Sequence, residues 1–457
     1  MSLIVTTLVV LLCLQFAGAH VRAQQQDLFL GATRRGALST APMPLSLDDA
    51  IGRGLNYNIG LLVSGSITDQ ARAARLEQLS EMLPQINGTV RESRQKTNLQ
   101  ALGIGFSGVP PTVEVSNFDV RASVTAPLID LHALAATRAA AQRVSAAEWD
   151  YRNARETVAL AIASAYLQTV SAEAALGSAQ ADLQTAQSLY QLAGDRERNG
   201  LAPNIDTLRA RVELQVRQQA VTQAQNTLDK QRIALLRIVG LPFEQPVVIT
   251  TRAAYRAIPE PVIADSVTRA TAMRQDYKAA EAQVRAAEDA RRAAELEHAP
   301  IVAVNGDYGA LGTAPSNALS TWSAAGVLRI PIFNGGRIQA HVAQAGAALD
   351  QQRAELEDLR ISIEQQVTNA VLDVRAAAQQ VDVAAATIDY ARQALMQAQD
   401  RFSAGVANTI EVVQAQESLA NANSEYITAL HAHNIAKLLL MRAMGSTEQS
   451  WKDVLAP

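Results

Sequence analysis

The side chains that could carry chemistry are few and scattered. His431 and His433 are the nearest histidine pair, but two residues apart on a helix they point to different sides, whereas metal-binding pairs sit four apart. His132, His298 and His341 are isolated from one another and fit helix-surface or interface positions. The only cysteine, Cys13, lies in an apolar leader, so a processed chain has no thiol and no disulfide. No G-x-S-x-G elbow exists to present a nucleophilic serine. Gly103-Ile-Gly105-Phe-Ser-Gly108 matches the dinucleotide pattern, but Val109-Pro110-Pro111 follows it instead of a helix, and it reads as a flexible loop. The expectation is a protein that is not an enzyme and holds no metal or other cofactor. Two acids remain, Asp206 and Glu411. Each opens a helix just after a glycine-containing turn, where a negative charge suits the helix dipole by a few tenths of a kcal/mol.

The elements that must position these residues follow from composition and repetition. Of 457 residues, 48% are hydrophobic but only 4% aromatic, with alanine prominent, which favours long, closely packed helices over a bulky core. The net charge of −4 gives no basic footprint for nucleic acid. Leu3 to Phe16 is almost continuously apolar, and Ala17-Gly18-Ala19 or Val21-Arg22-Ala23 supplies a small-residue cleavage signal, so residues 1–23 read as a secretory signal peptide. Leu12 before Cys13 is too large for a lipoprotein signal. No later run of about 20 apolar residues suggests a membrane-spanning helix. Residues 24–44 read as an extended arm.

The chain is internally repeated. Arg196, Gly200, Ile205 and Asp206 match Arg401, Gly405, Ile410 and Glu411 at a constant offset of about 205 residues. The register continues through Ala210/Ala415, Leu235/Leu440 and Gly240/Gly445. Pro127-Leu-Ile-Asp130 answers Pro331-Ile-Phe-Asn334, and Pro84 answers Pro300. The halves are placed at 45–257 and 258–446, with a tail at 447–457. Asp130 to Glu197 and Arg337 to Asp400 hold helical periodicity for about 68 and 64 residues, or about 100 Å each. Leu47 to Met82, Asp206 to Val239, Ile263 to His298 and Glu411 to Met444 are each about half as long. Two short helices stacked end to end match one long one, which predicts a rod. Gly200 and Gly405 can take the left-handed conformation that ends a helix, with Arg196 and Arg401 in the turn before.

Between the prolines each half predicts a β-hairpin, at about 86–126 and 301–331. Phe118 to Thr125 alternates apolar and polar, with Ile86 to Arg94 as its partner; Ile301 to Tyr308 pairs with Ser320 to Ile330. Trp322, Ala324, Leu328 and Ile330 share one face, and Trp322, Tyr308 and Phe118 are candidates for an interfacial aromatic girdle. Strands of about ten residues cross an outer membrane when tilted. Four strands cannot close a pore, and lipid does not tolerate open edges, so other chains must complete the barrel; three would give twelve strands.

At this point the chain resembles the TolC family of outer-membrane efflux and type I secretion proteins, over about 45–445. The resemblance is carried by Pro331-Ile-Phe-Asn-Gly-Gly336, by Arg274-Gln-Asp-Tyr277, and by the paired turns at Gly200 and Gly405. It implies a mainly α fold with a small membrane β-barrel, a homotrimer, and a helical tunnel through the periplasm. The tunnel's closed end would be opened by an inner-membrane pump and a periplasmic adaptor. It implies residence in the outer membrane, against lipid, as a passive exit duct. Glu411 matches an acidic constriction position, and threefold symmetry would gather three such carboxylates into a cation-attracting ring. Asp206 is the first-half equivalent. The family's second acid is replaced by Gln414, and a gate arginine by Ala407, which implies a single, less tightly latched ring. Arg196, Gly200, Arg401 and Gly405 mark the tips that would meet the adaptor, and Pro127, Pro331, Gly335 and Gly336 mark the barrel-to-helix junctions. Pro127-Leu-Ile-Asp-Leu131 departs from the motif in lacking its glycine. The competing reading is a periplasmic coiled-coil scaffold or adaptor without a pore, which the two hairpins and the repeated helix lengths speak against. The exported cargo is not legible.

Overall fold

The computed structural model describes residues 29–33, 41–103, 108, 110–252, 254–259, 261–448 and 451. The expected signal peptide and much of the arm lie outside these residues, as do 104–107 and 109 of the glycine-rich loop. The elements follow the same order twice. The first series is α1 (Leu47–Tyr57), α2 (Ile59–Ser80), strands β2 (Gln85–Asn98) and β3 (Thr112–Ile129), α3 (Leu131–Arg198) and α4 (Asn204–Val239). The second is α5 (Ile263–Met273), α6 (Gln275–Leu296), β5 (Ile301–Gly312) and β6 (Leu319–Arg329), α7 (Arg337–Ser403) and α8 (Thr409–Ala443). Two short strands, β1 (Met43–Leu45) and β4 (Val247–Ile249), pair in parallel.

The long helices have 68 and 67 residues, as expected from their periodicity. The helices before the hairpins differ from expectation: each is broken once, into 11 and 22 residues in both halves. Two different side chains make the breaks. Asn58 is extended, and its Oδ1 accepts from the Gly60 N–H at 2.8 Å while its Nδ2 donates to the Phe29 carbonyl at 2.7 Å. The amide thus caps the second piece, an alternative to helix that asparagine offers its own backbone. Arg274, also extended, is almost fully buried and forks onto Asp276 at 2.6 and 3.0 Å, with a further bond to Gln366 at 2.8 Å. A buried guanidinium needs all of these acceptors, and the chain turns to provide them. One 18-residue window of α3 also meets the length and composition of a membrane span, against the expectation of none, because an alanine-rich helix scores as apolar; 44% of that window is buried within the chain.

The chain divides into two compact units that cut across the repeats, one of residues 1–66, 149–277 and 358–457, the other of residues 67–148 and 278–357. The first contains a core of Leu45, Ile51, Val158, Ile162, Leu235 and Val239, closed by Trp451. Tyr166 crosses it, fully buried, donating to the Leu45 carbonyl at 3.1 Å and accepting from the Thr251 N–H at 2.9 Å, which ties both short strands to α3.

The second unit holds the four-stranded antiparallel sheet, in the order β2-β3-β5-β6. The strands run 14, 18, 12 and 11 residues, longer than expected in the first hairpin, where pairing continues from Gln85↔Thr125 to Asn98↔Thr112. The register aligns Val90↔Val120, Ala122↔Tyr308 and Tyr308↔Trp322, so these side chains share one face with Ile86, Val124 and Leu328. Trp322 and Ile86 on it are 75% and 76% exposed. The opposite face carries Asp119, Arg121 and Asp307, with Arg121 bonded to both acids at 2.8 and 2.7 Å. β2 and β6 are both edges of this sheet.

Candidate functional site: the paired helical turns

Two turns join the long helices to the helices that follow them, and they have the same geometry. At the first, the Leu201 N–H reaches the Arg196 carbonyl at 2.8 Å and the Gly200 N–H the Glu197 carbonyl at 2.9 Å. At the second, Val406 reaches Arg401 at 3.0 Å and Gly405 reaches Phe402 at 3.0 Å. This pair of bonds is the Schellman closure of a helix C-terminus, and it requires the left-handed residue that Gly200 (φ 71°) and Gly405 (φ 78°) supply.

The side chains around these turns are not equivalent. Arg401 bonds Glu411 across its own turn, Nε to Oε1 at 2.9 Å. Arg196 instead leaves its turn: its guanidinium donates to the Phe402 carbonyl and stands 4.8 Å from the centre of the Phe402 ring. Asp206 is buried and lies 3.5 Å from Arg209, whereas Glu411 is half-exposed. Gln414 is exposed and one turn beyond Glu411. Asn408 caps α8, its Oδ1 accepting from the Glu411 N–H at 3.3 Å, and Glu197 accepts from Asn204 at 2.6 Å. The Asn204 bond holds the Glu197 carboxyl below its ordinary range.

Below the turns, Leu189, Ala193, Ala210, Leu395, Ala398, Phe402 and Val412 form one apolar cluster drawn from both halves. The structure therefore brings together all four tip residues named from the sequence and Glu411, with Asp206 packed beneath. Phe402 and Asn408 were missed. Asn408 was legible as an N-cap residue three positions before a glutamate. Phe402 was not, since its first-half counterpart is Glu197 and the repeat conceals it.

Within the other unit, Pro127 sits at an irregularity in the β3–β5 register. Asp130 caps α3 through the Ala133 N–H at 2.8 Å. Pro331 follows β6, and Gly335 and Gly336, both at positive φ, precede α7. Those two positions explain why the second junction carries the glycines that the first lacks: α3 starts from a side-chain cap, α7 from a left-handed turn.

The sequence model of the outer membrane efflux protein family matches residues 66–241 and again 267–446, one match for each series of elements. The chain belongs to the outer membrane efflux protein family. Membership makes it an exit duct for efflux or secretion and places it in the outer membrane. It is 25% identical over 415 residues to the pyoverdine export outer membrane protein OpmQ of Pseudomonas putida, covering 88% of this chain and 86% of that one. It is 21% identical to the alkaline protease secretion protein AprF of Pseudomonas aeruginosa, over 73% of this chain and 71% of that one. The crystal structure of the Campylobacter jejuni CmeC outer membrane channel superposes with a TM-score of 0.78 at 18% identity, covering 88% and 86% of the two chains. These likenesses to efflux and secretion ducts favour the exit-duct reading over the pore-less scaffold.

Proposed function

We propose that three copies of this chain assemble into one passive exit duct, their four-stranded sheets closing a twelve-strand barrel in the outer membrane. The observation that carries this reading is the sheet itself. One face is apolar and exposed, from Ile86 to Trp322, and both edge strands are open. In lipid every strand edge must be paired, so a sheet of this kind has to be closed by further copies. The apolar face then meets the hydrocarbon, and the face with Asp119, Arg121 and Asp307 lines the lumen.

The turns at Gly200 and Gly405 are the distal tips of the helical tunnel, where a periplasmic adaptor coupled to an inner-membrane pump docks. Glu411 lines the constriction, and three copies of it form a carboxylate ring. Gln414, one turn away, leaves the ring single, and Asp206, 3.5 Å from Arg209, is the first-half acid of the same constriction. Transport energy comes from the pump, so the chain itself catalyses nothing and needs no cofactor. The cargo range of the relatives, pyoverdine in one name and alkaline protease in another, fits a permissive wall whose selectivity lies elsewhere.

Planar-bilayer recording of the purified protein, with trivalent cations added on the side of the turns, tests this reading. Discrete cation-selective channels that the trivalent ion blocks are expected. Channels of the same conductance without block would remove Glu411 from the constriction.

A further inference from the structure

The connector between the two halves, residues 250–262, is fastened at three places. At its start the Thr250 N–H donates to the Leu45 carbonyl at 3.2 Å and the Thr251 N–H to the Tyr166 hydroxyl at 2.9 Å. Towards its end Ile258 packs on the cluster of Ile363, Val367 and Leu440. Between these the backbone carbonyl of Arg256 faces two side chains of α8, His433 Nε2 and Lys437 Nζ, each at 3.4 Å. A carbonyl only accepts, so His433 must carry its proton on Nε2 to bond there. The Tyr255 ring lies 5.2 Å from the imidazole, tilted by 44°.

This fastening is unusual in its burial. His433 and Lys437 are each 1% exposed. The charged and titratable groups facing His433 are Asp382 from α7, Tyr255 and Arg256 from the connector, and Lys437 one turn along its own helix. Lys437 already places one cation in this space. A second cation beside it would be repelled by the first and, at 1% exposure, stripped of solvent, which is strongly unfavourable.

We propose that His433 is an acid-sensitive clasp: the neutral imidazole holds the Arg256 carbonyl, and its protonation beside Lys437 releases the connector from α8. Burial, seconded by Lys437, holds the imidazole below its ordinary value, while the Arg256 carbonyl and Asp382 act the other way. The clasped form therefore binds a proton less readily than the released form. Release is favoured as pH falls below about 6.5, the ordinary histidine value. With one proton linked, the released fraction rises by up to about tenfold per pH unit until the clasped form itself protonates. The device lies away from the turns and would make the joint between the two halves responsive to the acidity of the surrounding compartment.

Hydrogen–deuterium exchange on the full-length protein in detergent, at about pH 7.5 and about pH 5 and corrected for intrinsic exchange rates, tests the clasp. Peptides covering 250–262 should lose protection several-fold at the lower pH, while peptides from the middle of α7 do not. His433→Phe, which keeps an aromatic contact to Tyr255, should abolish that difference. Asp382→Asn removes a charge that favours the proton in the clasped form, so it should deepen the loss of protection at about pH 5, an effect that a merely structural histidine would not produce. Equal protection of the connector at both pH values in the unaltered protein would overturn the proposal, as would an unchanged pH response in His433→Phe.

Discussion

Arg401 and Glu411 close the second turn with a 2.9 Å ion pair, while Arg196, the match of Arg401 in the first half, bonds the Phe402 carbonyl in the second. The two halves thus use the same backbone turn for different ends. One arginine screens the acid proposed for the constriction, and the other links the two turns to each other.

The Arg401–Glu411 pair is 56% and 43% exposed, so it contributes no more than about 1 kcal/mol to folding. Its effect is expected in conduction. Arg401→Ala leaves the unfolding temperature nearly unchanged but frees Glu411, which raises cation selectivity and strengthens trivalent-cation block. Glu411→Gln does the reverse. Reversal potentials and block titrations read both; block of Glu411→Gln at the unaltered concentration would remove Glu411 from the proposed ring.

Arg196 makes a bond to a backbone carbonyl and a stacking contact with one planar group, which lysine cannot reproduce. Arg196→Ala should cost about 1–3 kcal/mol locally. Arg196→Lys should recover less than half of that. Limited proteolysis between residues 196 and 206 and between 401 and 411 checks this. Both turns should become susceptible together, because the link runs between them; cleavage confined to the first turn would show that they are independent.

Tyr166→Phe removes one hydroxyl that serves both Leu45 and Thr251. The Leu45 carbonyl keeps the Thr250 N–H, but the part-buried Thr251 N–H loses its bond, at a cost of about 1–3 kcal/mol. Thermal unfolding monitored by circular dichroism should show it. A change under about 0.5 kcal/mol would mean that the β1–β4 pair holds without α3.

Burial lowers the Lys437 ammonium to about 8, with Arg256 adding to the effect. The folded state therefore binds fewer protons than the unfolded state between about 8 and 10.5, and stability rises with pH across that window. At neutral pH the buried charge is a cost, and Lys437→Met should raise stability by up to about 3 kcal/mol. Denaturant unfolding at neutral pH and near pH 10 separates the cases: the variant's advantage should shrink at the higher pH. An advantage that is the same at both would place the gain in packing, not charge.

Much of the architecture was legible because periodicity and punctuation agree in this chain. Proline, glycine and charge mark both ends of the long helices, and alternation around Val120 and Trp322 fixes the sheet register. The helix breaks at Asn58 and Arg274 were not legible. Neither is proline or glycine, and each break depends on acceptors distant in sequence, the Phe29 carbonyl for one and Gln366 for the other. The turn residues were found by repetition, which identifies Arg196 with Arg401. Repetition could not show that the two arginines choose different partners, since that choice follows from Phe402, the aromatic residue standing where the first half has Glu197. The clasp at His433 also escaped a reading of spacing alone, because its partner is a backbone carbonyl.

In the proposed assembly the chain forms a pore only by closing its sheet with two further copies. Native mass spectrometry of the protein extracted intact from outer membranes tests it most directly. A single species of three chains is the predicted result. A monomer or a dimer that keeps its β-sheet and stays in the membrane would contradict the account.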